Sequence, residues 1–377
     1  MKVLTILGTR PEIIRLSCIM ARLDEFVEHR IVHTGQNYDS ELNELFFRDL
    51  KVRKPDHFLK ADTSSLGRFC GDLLTKSEAL FKAENPDAVV ILGDTNSALA
   101  AIMARRMKIP IYHLEAGNRC FDLNVPEETN RKILDHISDF NLVYTEHARR
   151  HLLAEGISPR RIYLMGSPMY EVLMTHLEAI KASSVLHDLG LRSGRFLLVS
   201  AHREENVDNS VNLRKLLQAV DLAAEQLDLT VIVSTHPRTR QRLERLTDGK
   251  TSERVRLLRP FGFLDYVHLQ MHASCVISDS GTICEEASIL GFSAITCRNS
   301  IERPEAMDAG TIIVTGLEPE TIVSAIRLQM AAAGRKSASE IPADYQRPNT
   351  SWRVAKLITG TAKLSHVWDA IRENDLR

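Results

Sequence analysis

Apolar positions along the chain alternate between two periods, starting at the first residues. Lys2–Leu7 (KVLTIL) is an alternating, β-branched run of strand character, closed by the turn Gly8-Thr9-Arg10-Pro11-Glu12. Ile13, Leu16, Ile19, Met20 and Leu23 then recur at helical spacing. The same alternation continues with a strand at 30–34, helices at 40–50 and 66–84, and an apolar strand at Ala88–Leu92. A helix at 96–107, a strand over 109–114, a helix opening at Pro126, a strand at 141–144, a helix at 146–154 and a strand at 161–164 follow. Gly166-Ser167-Pro168 breaks the pattern. Beyond a charged helical stretch it restarts, with strands at Phe196–Ser200, Thr230–Ser234, Val255–Leu258 and 274–277 and a helix at Ser210–Leu227. A Pro/Ala/Gly-tinged connection, 335–349, leads to a last helix over 350–372.

Continuous apolar strands joined by amphipathic helices predict parallel sheets covered on both faces. The expected fold is α/β, with two doubly wound, Rossmann-like domains facing a cleft. The expected domains are 1–168 and 169–349, with 350–377 supplying a helix that packs back on the first.

Composition narrows the function classes. A length of 377 residues exceeds one ordinary core and agrees with two domains. Lys+Arg 48 against Asp+Glu 49 gives a net charge of -1, so neither nucleic acid nor a membrane surface is an expected partner. No apolar run approaches the roughly 20 residues that span a bilayer. The start, MKVLTILGTRPE, reads as a strand and not as a signal peptide. Six scattered cysteines, none in a C-x-x-C pair, predict reduced thiols and a cytoplasmic protein. His147 with His151, and His268 with His272, stand four apart, but no acidic third ligand is near and two arginines stand between the first pair, so no metal is expected.

Candidate chemistry gathers at strand ends. Asp94 and Glu115 each close a strand of one parallel pair, which predicts carboxylates at a common rim. Residues 113–131 (HLEAGNRCFDLNVPEETNR) continue from Glu115 through a polar loop to Pro126, Glu127, Glu128 and Arg131. Proline and acids there are also ordinary helix-start residues. Cys120 lies in this loop, with no partner base evident. Arg10 at the first turn and Arg15 one turn on suit a phosphate at a helix N-terminus, and equally a surface arginine beside a cap. In the second half, His202-Arg203-Glu204-Glu205 follows one strand, and Ser278-Asp279-Ser280-Gly281-Thr282 follows another, ahead of Glu285 and Glu286. Small residues at such a turn let backbone N–H groups approach a phosphate, and an acid just beyond reaches ribose hydroxyls.

GTRPE, Gly93-Asp94-Thr95, HLEAG-R with PEE-NR, HR-E, SDSG-I-EE and ERPEA--AG (302–310) occur in one order across the chain. In this set the chain resembles the non-hydrolysing UDP-N-acetylglucosamine 2-epimerase family. The resemblance implies a GT-B type fold, a UDP-sugar substrate, inversion at carbon 2 without a cofactor, and a homodimer serving capsule or O-antigen synthesis. It implies that Arg10, His202, Ser280 and Gly281 hold the diphosphate, with His202 in the catalytic set, and that Glu286 binds the ribose. Asp94, Glu115 and Glu127 would be the acid/base carboxylates. Arg131 and Arg15, the latter more often lysine in the family, would lie near the phosphate or support the loop. Where the common pattern has Leu-Arg and then Pro-Trp-Pro, this chain has Asn118-Arg119-Cys120-Phe121-Asp122 in a shorter loop. That loop looks more like the branch forming UDP-N-acetyl-L-fucosamine from the 6-deoxy-L-talo sugar, or L-quinovosamine from the L-rhamno sugar. Gln36-Asn37-Tyr38 replaces the usual Gln-His and argues against the allosteric UDP-GlcNAc site of some bacterial members. The alternative on this fold is a retaining glycosyltransferase with a UDP-sugar donor.

Overall fold

The computed structural model describes residues 1–36, 40–235, 242, 252–333 and 340–371. By contacts the chain forms two units, Met1–Thr175 with Asp344–Arg377, and His176–Ala343. The division therefore falls inside the helix Pro168–Lys181.

Unit 1 is built on β1 (Lys2–Leu7), β2 (Glu28–His33), β3 (His57–Phe58), β4 (Ala88–Leu92), β5 (Ile111–Leu114), β6 (Phe140–Val143) and β7 (Ile162–Leu164). The strands are parallel in the order β3-β2-β1-β4-β5-β6-β7. Every residue of β4 and β5 is buried, because helices cover both faces. β4 and β5 pair in register from Val89 with Ile111 to Leu92 with Leu114, which puts Asp94 and Glu115 at neighbouring ends. The spacing predicts one helix over 96–107. The chain instead makes a 3₁₀ turn, Asn96–Ala100, before an α-helix at Ala101–Arg106. Asp94 caps neither, since the residue before the turn is Thr95.

Unit 2 holds β8 (Phe196–Ser200), β9 (Thr230–Ser234), β10 (Val255–Leu258), β11 (Cys275–Ser278), β12 (Ala294–Thr296) and β13 (Ile313–Val314). They are parallel in the order β10-β9-β8-β11-β12-β13. Their core packs Leu197, Val199, Val231 and Ile277 against Ala219, Val220 and Ala223 of the helix Ser210–Leu227 and Ile322 and Ile326 of Pro319–Ala332. Asn209 caps Ser210–Leu227 through its side chain, and Asp228 ends it in the left-handed conformation. Both sheets are doubly wound, with the chain reversing its march between β1 and β4 and between β8 and β11.

The last helix, Thr350–Trp368, packs on Arg10–Phe26 within unit 1. Arg22 lies over the Trp352 ring at 4.0 Å, and Phe26 meets that ring at 5.3 Å. Thr361 hydrogen-bonds Tyr112 at 2.7 Å, and Glu171 takes the Ser351 N–H and hydroxyl at 2.7 and 2.6 Å. All six cysteines are free thiols. Among the described residues no helix is long and apolar enough to cross a membrane.

Candidate functional site

The turns that leave β1 and β4 open at the switch point of the first sheet, where such folds place ligands. Glu12 ties them together. One of its carboxylate oxygens accepts the Gly8 and Thr9 N–H groups at 2.8 Å each and the Thr9 hydroxyl at 2.9 Å. The other accepts the Thr95 hydroxyl at 2.8 Å. Burial pushes the Glu12 carboxyl up to about 7, although these donors act against the shift. Arg10, on the same turn, places its guanidinium 5.9 Å from the Phe46 ring centroid.

Glu115 ends β5 at φ +65°, a left-handed conformation that costs a non-glycine residue about 1–2 kcal/mol. The bend sends its carboxylate back over β4. A Cβ on Gly93, itself at φ +68°, would stand 3.1 Å from Glu115 Oε2. Arg15 reaches this carboxylate as an ion pair, and Asn118 donates to it at 3.3 Å. Asp94 pairs with Arg131 at 2.7 Å. Arg131 also holds Glu128 at 2.8 Å, and Glu128 accepts the Cys120 N–H at 3.2 Å. Burial opposes the charge on Glu128, but the Cys120 N–H and Arg131 outweigh it and hold the carboxyl below its usual range. Burial raises the Cys120 thiol. Of the two adjacent glutamates, Glu128 is thus fixed inside. Glu127 stands half-exposed at the helix start, with no ion pair among the described residues.

Beneath this rim lies a buried charged layer. Asp135 sits 2.7 Å from Arg119 and 3.0 Å from His113, and it accepts the Gly117 N–H at 3.1 Å. Arg119 also pairs with Glu155 at 2.6 Å, and His113 donates to the Gly93 carbonyl at 2.8 Å. His151 donates to the Gly117 carbonyl at 2.9 Å, and His268 to that of Ile180 at 2.8 Å. Among the described residues no His, Cys, Asp or Glu cluster is arranged to hold a metal ion.

In unit 2 the turns after β8 and β11 meet at their own switch point. Asp279, fully buried, accepts the N–H groups of His202 and Arg203 at 3.1 Å and the Asn206 amide at 3.0 Å. Its carboxylate lies 3.0 Å from His202 Nδ1. Burial opposes its charge, yet His202 and these donors hold it far below the usual carboxylate range. His202 itself is half-exposed on the rim. Ser280 and Gly281 follow Asp279 at the start of the helix Ile283–Leu290, and the Ser280 hydroxyl meets that of Thr282 at 2.9 Å. Glu286 is buried in this helix and accepts the Gln270 amide at 2.7 Å.

The sequence-predicted residues thus fall into two groups. In unit 1, Arg15 meets Glu115 and Arg131 meets Asp94, with Arg10 on the adjacent turn and Glu127 at the edge. In unit 2, His202 joins the turn that carries Ser280 and Gly281, and Glu286 follows. Glu12, Asp135 and Asp279 hold these turns and were not among the predicted site residues. For Glu12 and Asp279 the one sequence signal is an acid in a turn motif, which ordinary capping also produces, and Asp135, inside the helix Glu127–Ile137, carries none.

A family model described as UDP-N-acetylglucosamine 2-epimerase matches residues 21–359. The chain is 34% identical over 337 residues to a Pseudomonas aeruginosa UDP-2,3-diacetamido-2,3-dideoxy-D-glucuronate 2-epimerase, covering 88% of this chain and 92% of that protein. Among solved structures it is similar to a Rickettsia bellii UDP-N-acetylglucosamine 2-epimerase, at 42% identity and TM-score 0.90, covering 97% and 98% of the two chains. The Methanocaldococcus jannaschii UDP-GlcNAc 2-epimerase in complex with UDP-GlcNAc and UDP is 33% identical, with TM-score 0.88 and coverage of 96% and 100%.

Proposed function

Because the chain belongs to the UDP-N-acetylglucosamine 2-epimerase family, and so is a carbohydrate epimerase on a GT-B type fold, we propose that it inverts carbon 2 of a UDP-2-acetamido sugar by eliminating and re-adding UDP. The carbon 2 proton has no adjacent carbonyl, so simple deprotonation faces a high barrier. A base takes that proton while the carbon 1–oxygen bond breaks and its electron pair leaves with UDP. The product pair is a 2-acetamido glycal and UDP. Addition of UDP back to carbon 1, with protonation of carbon 2 from the opposite face, gives the epimer. Nothing is oxidised or reduced in net terms, and no redox cofactor is needed.

The observation that carries this reading is the pair of strand-end carboxylates, Asp94 and Glu115, each set by an arginine. Together with Glu127 they are the proposed acid/base set, and a two-face reaction needs more than one such group. Arg131 and Arg15 then orient Asp94 and Glu115. Arg10, His202 and the Ser280-Gly281 turn take the diphosphate, where cations and N–H dipoles stabilise the departing charge. Glu286 takes the ribose.

Within this class we assign the 6-deoxy sugar UDP-2-acetamido-2,6-dideoxy-L-talose, with UDP-N-acetyl-L-fucosamine as product. The support is the short loop Asn118-Arg119-Cys120-Phe121-Asp122, which carries Phe121 exposed at φ +56°. The Pseudomonas aeruginosa relative favours a diacetamido glucuronate as the second candidate.

The test is proton NMR in D₂O with the L-talo sugar, UDP-GlcNAc and the diacetamido glucuronate in separate tubes. Deuterium at carbon 2 of the L-talo sugar alone, with a new epimer, supports the assignment. Turnover of either other sugar alone reassigns the substrate, and no exchange with any of the three overturns the elimination course for them. In the same assay Asp94→Asn and Glu115→Gln are expected to lose at least about a hundredfold in kcat while still binding UDP.

A further inference from the structure

Arg303 belongs to Glu302-Arg303-Pro304-Glu305-Ala306, a motif given no role above. It is buried, at 2% exposure, beneath the turn after β11. Its Nε–H donates to the Gly281 carbonyl at 2.9 Å, and its terminal nitrogen pairs with the fully buried Glu285 at 3.0 Å. On the same turn, Arg203 Nε–H donates to the Asp279 carbonyl at 3.1 Å. In a trans peptide the C=O and the following N–H point in opposite directions. Anchoring the carbonyls of Asp279 and Gly281 therefore fixes the directions of the Ser280 and Thr282 N–H groups on the other side. Those N–H groups meet the Ser278 and Ser280 hydroxyls at 3.1 and 3.3 Å, side-chain acceptors whose place a phosphate oxygen would take.

We infer that Arg303 is a positioning residue for diphosphate recognition: it pins the Gly281 carbonyl so that the Ser280–Thr282 turn presents its N–H groups to the phosphates. The inference rests on the proposed role of that turn. Arg303 does not act as a phosphate ligand here, because Glu285 compensates its charge and burial hides it. Its planar fork holds carbonyl and carboxylate in fixed directions, a geometry that the compact ammonium of lysine does not reproduce.

Calorimetric titration of the full-length protein with UDP and with uridine separates the possibilities, since uridine lacks the phosphates. Wild type is expected to prefer UDP strongly. Arg303→Lys is expected to lower the UDP-to-uridine affinity ratio at least tenfold with uridine affinity retained. Glu285→Gln, which keeps the bond to Gly281, is expected to lower Tm and leave the ratio unchanged. If the lysine variant does not fold, Arg303→Gln combined with Glu285→Gln removes both charges at once and is expected to show the same loss of ratio. An unchanged ratio in the Arg303 variants, or an equal loss in Glu285→Gln, overturns the positioning role. Wild type with no preference for UDP instead overturns the reading of the turn as a diphosphate site.

Discussion

Glu12 and Asp279 are both buried acids that gather the donors of a turn, yet their protons behave in opposite ways. Asp279 has His202 at 3.0 Å and stays ionised far below the usual range, whereas the hydrogen bonds to Glu12 come from neutral groups and burial lifts its carboxyl to about 7. Between about pH 4.5 and 7 the native state keeps a proton on Glu12 that the unfolded chain has released. Its contribution to stability is therefore full below pH 4.5 and is lost as pH rises through 7. The difference corresponds to about 3 kcal/mol. Glutamine at this position keeps one oxygen for the Gly8 and Thr9 donors and carries no charge to bury. Urea unfolding at about pH 5 and pH 8 is expected to show wild type losing stability relative to Glu12→Gln by that order. An equal difference at both pH values would mean that Glu12 does not titrate in this window.

Turns, more than strands or helices, carry the chemistry at the scale of elements. Gly117 follows the Glu115 bend at φ +80°, and a Cβ there would stand 2.4 Å from the Ala148 carbonyl oxygen. Gly156 has a similar φ of +84° and open space around it. Gly156→Ala is expected to cost only the strain of a left-handed alanine, about 1 kcal/mol. Gly117→Ala must in addition push the loop off the helix Glu146–Ala154, at a total of at least about 2 kcal/mol, with a tenfold or greater fall in carbon 2 exchange. Denaturant melts of both variants, with exchange rates, check this; equal costs would remove the steric account of Gly117. The long elements were legible because their periods and breakers are local: Ala88–Leu92, Leu66–Glu84 and Ser210–Leu227 follow their apolar patterns to the residue. The strands β3, β12 and β13 were not predicted, since two or three residues carry no period and exist only by pairing with a neighbour. The 3₁₀ start of the 96–107 segment was likewise invisible in its apolar spacing.

At the scale of the whole molecule, unit 1 is discontinuous in sequence and unit 2 is continuous. The helix Thr350–Trp368 buries Val354, Ala355, Ile358 and Ala362, and Arg161 holds its end through Asp369. Truncation after Ala343 is expected to abolish the cooperative thermal transition of unit 1 and to leave that of unit 2, read by scanning calorimetry. Survival of both transitions would show that this helix is not part of the first unit's core. The sequence by itself determined the α/β class, the repeated strand–turn–helix order and which acids and basic residues stand at strand ends. These depend on periods of two and 3.6 residues and on turn chemistry, all expressed within a few positions. Only the tertiary structure decided which charge meets which. Arg15 and Glu115 are 100 residues apart in sequence, and His202 and Asp279 are 77 apart. Parallel strand order brings them together, and the partners met there then decide whether a buried acid keeps its proton, as neutral donors do for Glu12 and His202 does for Asp279, so neither result is expressed in any local stretch of the chain.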